Sequence, residues 1–143
     1  MTLGQVRGFF RGVMNGLKYR EWADGFNIAN IPATILDGSY HLDVGHIKIS
    51  PTMGAQARAF EFSYPVTLKV LSKGFKNPGL AIDRALDNAQ GILEVLMPQA
   101  NALTQVGIKN VSPTGLDTQP LQVSNDNAVI LVMTFDMYLI LAF

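Results

Sequence analysis

The sequence predicts an α+β domain: a mostly antiparallel or mixed β-sheet with two α-helices packed on one face. Three observations lead there. A helix-period stretch opens the chain, strict apolar–polar alternation runs through Phe60–Val70, and a second helical pattern follows a well-formed cap at Asn77. Strands lie between and after the helices in the order helix, strands, helix, strands, which favours a layered arrangement over alternating parallel units. No domain boundary or internal repeat interrupts the 143 residues, so the whole chain reads as one domain.

Thr2 is an N-cap for a first helix reaching to about Tyr19, with Val6, Phe9, Phe10, Val13 and Leu17 forming its apolar stripe. Gly4, Gly8, Gly12 and Gly16 recur every fourth residue in the same helix. Each interior glycine costs about 1 kcal/mol relative to alanine. Such a row implies close backbone approach, either of this chain's own sheet or of a neighbouring subunit.

Glu21–Pro32 reads as a loop pinned to the core by Trp22, followed by extended segments at Ala33–Leu36 and Ser39–Ile49. Ser50–Arg58 has little apolar surface and is expected to be an exposed loop, ordered by a neighbour rather than by itself. In the next strand Phe60, Phe62, Tyr64, Val66, Leu68 and Val70 share one face. Pro65 cannot donate to a ladder, so that strand is expected at a sheet edge or bulged there.

Lys73–Gly79 is a turn, with Asn77 as N-cap and Pro78 in the first helical position. Ile82, Ala85, Leu86, Ala89, Leu93 and Leu96 form the stripe of a helix expected to end at Pro98. Leu86, Ala89 and Leu93 are expected to pack on Phe62, Tyr64, Val66 and Leu68. Ile108–Val111 and Leu121–Val123 are weaker strand candidates, and Ser124–Asn127 is a turn. Ala128–Ala142 is a last strand whose two apolar parities near its end imply cover on both faces, by helices or by another subunit.

Composition narrows the function. Charged residues are only 15% of the chain against 48% apolar, and eleven basic residues balance eleven acidic ones. That balance gives no field to attract nucleic acid or an anionic membrane, and low charge favours self-association. The absence of cysteine excludes disulfides and thiolate chemistry. Arg7, Arg11, Lys18 and Arg20 run through the first twenty residues, unlike a secretory signal. The apolar run Ala128–Phe143 is interrupted by Asp136 and is shorter than the roughly 20 residues a membrane helix needs.

No constellation for catalysis emerges. His41 and His46 are five apart and fall on opposite faces of a strand, and Asp43 beside His41 still leaves too few ligands for a metal. Ser39 near His41 lacks a nucleophile elbow. Asp83 and Asp87 read as a solvated helix face, and Lys69, Lys73 and Lys76 around Gly74 as a solvated corner. No phosphate-cradling loop is present. No enzyme activity, cofactor or metal is expected.

Four segments in order, Asn30–Leu42, Phe60–Leu71, Gly74–Met97 and the long strand after Asn127, resemble the tail-terminator family of long-tailed bacteriophages, the lambda minor tail protein U type. Order and lengths carry the resemblance. It implies a virion protein, made in the host cytoplasm, that assembles as a homo-oligomeric ring, a hexamer, on the last ring of the tail tube. The ring halts tube polymerisation and joins the head. Implied partners are further copies of itself, the tail tube protein and a head-completion or connector protein. Genomic DNA passes through the lumen without sequence-specific binding. The family supplies no catalytic residues, and this chain lacks the acidic character of the lambda protein, so no metal or acidic lumen carries over. Candidate ring-contact residues are Phe60, Phe62, Tyr64, Met53, Gln56, Arg58, Arg7 and Arg11. The alternatives are a head-closure or connector-adaptor protein, or a small-ligand module using Phe60–Tyr64 as a pocket wall.

Overall fold

The computed structural model describes residues 2–22, 37–51, 59–75, 77–103, 108–123 and 126–142. Its elements are a 3-10 turn (Leu3–Gln5), α1 (Val6–Gly16), β1 (Arg20–Glu21), β2 (Ser39–Val44), β3 (Lys48–Pro51), β4 (Ala59–Phe75), α2 (Pro78–Ala102), β5 (Ile108–Val123) and β6 (Asp126–Ala142). The strands form one mixed sheet in the order β1-β2-β4-β6-β5, with β3 also paired to β4. Among the described residues only the short β1–β2 pair is parallel. This is the α+β class expected from the sequence.

The first helix starts at Thr2, whose amide donates to the Gln5 side chain at 3.0 Å. It stops earlier than expected, at Gly16. Lys18 takes a left-handed φ of 71°, and the Tyr19 amide returns to the Met14 carbonyl at 3.0 Å, a Schellman-type closure. Val6, Phe10, Val13 and Met14 are buried, so the glycine row lies on the outward side. A Cβ on Gly8, Gly12 or Gly16 would meet nothing within 4 Å among the described residues. Packing of that row on the chain's own sheet is therefore overturned.

Asn77 caps α2 as expected, accepting from the Gly79 amide at 2.8 Å. The helix then runs past Pro98 for another turn. Pro98 is exposed, where one missing amide bond is tolerated. The buried stripe is Ala81, Ala85, Ala89, Ile92, Leu96 and Ala100, sharing Ala85, Ala89 and Leu96 with the expected one; Ile82 and Leu93 pack at its margin, and Leu86 is 41% exposed. Alanines bring the helix close to the sheet, so the larger leucines are displaced to its flanks. Ile92 and Leu96 are the bulky anchors of this face.

β4 is an internal strand, which corrects the expected edge. It pairs with β6 along its length and with β2 and β3 on its other side. Pro65 still interrupts a ladder, because it stands opposite the break between β2 and β3, where the Gly45 amide donates to the Pro65 carbonyl at 3.0 Å. The Ser39–Ile49 segment is consequently two strands rather than one. Ser50 and Pro51, expected in a loop, complete β3. The remainder of that loop and Ala33–Leu36 lie outside the described residues.

β5 unites the two weak strand candidates and the polar stretch between them. As an edge strand it needs no apolar face over its whole length, and it accommodates Pro113, Gly115 and Pro120 with a bulge at Thr114. The core lies between the helices and one sheet face, with Phe10 against Phe135 at a ring-centroid distance of 5.4 Å. A smaller cluster of Leu71, Ala128 and Ile130 sits on the opposite face, with Trp22 packed on it. β6 is thus buried on both faces at its start, while near its end Ile140 is exposed in the single chain, which leaves another subunit as the expected cover there.

Candidate functional site

Phe62 and Tyr64, expected at a strand edge in a subunit contact, belong to the buried core, and Phe60 is half-buried against it. Their backbone pairs with Leu139, Met137 and Leu141 of β6. They are structural, and neither a free edge nor a pocket wall is available at them. Met53, Gln56 and Arg58 lie outside the described residues. Arg11 is committed to Glu21 through two hydrogen bonds, Nε to Oε2 at 2.8 Å and Nη2 to Oε1 at 3.2 Å. Arg7 is half-buried, and its Nε is enclosed with no hydrogen-bond partner among the described residues.

The Arg11–Glu21 pair fastens α1 to β1. Its hydrogen bond to Glu21 pushes the Arg11 pKa further up. Nearby, the buried Tyr40 hydroxyl donates to Asn15 Oδ1 at 2.9 Å. Burial, then the charge of Glu21, pushes the Tyr40 pKa up. Tyr19 is also raised, first by burial and then by Asp37.

His41 holds β1 to β2 from the other sheet face. Its Nδ1 is 2.7 Å from the Trp22 carbonyl and its Nε2 is 3.0 Å from Asp43 Oδ1. Lys69 Nζ is 3.6 Å from the other Asp43 oxygen. The carbonyl can only accept, so Nδ1 carries a proton there. Ser39 is buried, while Asp83 and Asp87 are exposed on the outer side of α2. No group of three or more metal-ligating side chains forms among the described residues. No helix among them is long and apolar enough to cross a membrane.

Beside the short terminal strand β1, two outer strands stand out among the described residues, β3 and β5. Ile49 on β3 is 62% exposed and Leu116 on β5 is 51% exposed. Both are on the helix-bearing side, because Ile49 is opposite Phe62 and Leu116 is opposite Met133. Their neighbours Lys48 and Asp117 are exposed on the opposite side, across from Ser63 and Val132. Sequence reading missed these four, since a single apolar residue in a polar stretch gives no periodic signal. The usable signal was Pro113 and Pro120 flanking Leu116.

Backbone direction on each outer strand follows from alternation. The Pro65 carbonyl faces Gly45, so Ser63 and Glu61 also face that side and engage Lys48 and Ser50. Ile49 therefore directs its backbone groups away from the sheet. Carrying the same alternation through β6 turns Pro113, Leu116, Thr118 and Pro120 outward on β5. Neither proline costs a ladder bond. The Asp117 carboxylate accepts from the outward Thr118 amide at 2.8 Å, which places it at the edge.

No protein-family model matches this sequence, and no curated protein matches it.

Proposed function

We propose that the protein is a tail terminator of a long-tailed bacteriophage: a virion protein that closes into a ring, a hexamer, on the tail tube and stops its growth. The reading rests on the ordered resemblance of the four sequence segments. The observation that carries it in three dimensions is a pair of unlike outer strands, β3 and β5, each with a large exposed apolar residue. A ring contact is heterologous, so each subunit must present two different patches that fit one another. Balanced charge and a low charged fraction favour such association.

In this reading the partners are further copies, the tail tube protein and a head-completion protein, and DNA crosses the lumen without base readout. The role is mechanical and uses no catalytic step. Deleting the protein from its phage tests it. Tails of uncontrolled length and tailless, normally filled heads are expected. Normal tails attached to heads would sink the reading, and empty heads beside tails of correct length would favour head closure instead.

A further inference from the structure

We propose that β5 of one copy pairs antiparallel with β3 of a second copy, with Leu116 opposite Ile49 and Asp117 opposite Lys48. The inference rests on the ring reading only in taking a second copy as the partner. Three independent features converge on this one register.

The first is backbone phase. Leu116 and Ile49 both direct their amide and carbonyl outward. Set opposite each other in an antiparallel ladder, they form a hydrogen-bonded pair that exchanges both bonds. A shift of one residue would match an outward position with an inward one and lose them.

The second is side-chain matching. Paired residues share a face, so Leu116 meets Ile49 of the second copy on the helix-bearing side, burying two exposed aliphatic groups against each other. On the other face the Asp117 carboxylate meets the Lys48 ammonium of the second copy. Both sheets then keep their helices on the same side, as a repeating ring requires.

The third is what stops the pairing. Pro113 and Pro120 turn outward on either side of Leu116, and the Thr118 amide is already occupied by Asp117. On β3, Pro51 turns outward too and would arrive at the Thr114 bulge. Among the described residues each strand is open over only a short span, and the spans coincide. Prolines and bulges are the means by which sheets avoid open-ended edge pairing, so a window left between them marks a selected contact.

The chain has no cysteine, which makes cross-linking clean. The double variant Ile49→Cys/Leu116→Cys should form disulfide-linked oligomers under mild oxidation, because a hydrogen-bonded pair brings Cα atoms to about 5.5 Å, within disulfide range. Each single variant should remain unlinked. Linked dimers from a single variant would show a symmetric contact and overturn the proposal. Lys48→Glu should weaken self-association about tenfold by facing Asp117 with like charge, and Lys48→Glu/Asp117→Lys should restore it. A wild-type protein that assembles while the double-cysteine variant stays unlinked, or a charge swap that fails to rescue, overturns the register but leaves the ring reading. A wild-type protein that is monomeric at every concentration overturns both. Linked oligomers from a phage whose tails are normal without the protein would leave the contact standing and remove the tail role.

Discussion

Gly45 and Pro65 meet at the break between β2 and β3: the Gly45 amide donates to the Pro65 carbonyl at 3.0 Å, and the proline ring occupies the space a Gly45 side chain would need. A Cβ there would lie 2.9 Å from Pro65 Cγ. The ring is closed onto its own backbone and cannot swing aside. Gly45→Ala should therefore destabilise by about 1–3 kcal/mol, the usual range for overpacking. Urea unfolding checks this, and the double variant with Pro65→Ala should lose less than the two single losses added. Strict additivity would show that the contact carries no energy.

The buried stripe of α2 gives a paired prediction. Ile92→Ala should cost about 2–5 kcal/mol, because Ile92 is fully buried. Leu86→Ala should cost less than about 1 kcal/mol, as for an exposed position. The same denaturation experiment compares them, and equal losses would contradict the observed orientation.

Gly8 and Gly12 lie mid-helix, and no described residue comes within 4 Å of a Cβ added at either. Replacing either with alanine should stabilise an isolated subunit by about 0.5–1 kcal/mol through helix propensity. A rise in Tm for both single variants, measured on dilute protein, is the expected outcome. A fall would mean that the outward face of α1 is not open.

Tyr40 links structure to alkaline pH. Its raised value means that the fold holds the neutral hydroxyl. That contribution is fully present below the unfolded phenol value, about pH 10, and is lost as pH rises through the higher folded value. Tyr19 acts in the same direction. Tyr40→Phe should lessen the alkaline loss of stability while costing about 1 kcal/mol near neutrality, where Asn15 loses its donor. Unfolding curves across alkaline pH separate the two effects.

Local signals in the sequence located most elements. Alternation over Phe60–Val70 and the Asn77–Pro78 cap correspond to β4 and α2. What failed depended on distant partners. Pro65 indicated an edge because a central strand normally needs its amide, yet a break in the neighbouring strand removes that need. Ala85, Ala89 and Leu96 are in the α2 stripe as expected, but Leu86 is not, because leucine outweighs alanine in any hydrophobic pattern while close packing on the sheet selects alanine. β5 was read as fragments because its hydrogen bonds come from β6, and its own side chains need not alternate. The candidate contact residues suffered most: aromatic Phe62 and Tyr64 drew attention and are core, whereas the outward direction of Ile49 and Leu116 exists only once four strands are paired.

The placement of β6 also fixes when the sheet can be built. It lies between β4 and β5 but follows both in chain order. During synthesis, α2 can coil as soon as it leaves the ribosome, but β4 must wait with one side of its backbone unpaired until residues through 142 have emerged. The backbone edge of β4 that later meets β6 is open throughout that interval. Nascent chains stalled before β6 should therefore bind holdase chaperones and aggregate readily, and folding should be late and all at once rather than progressive along the chain.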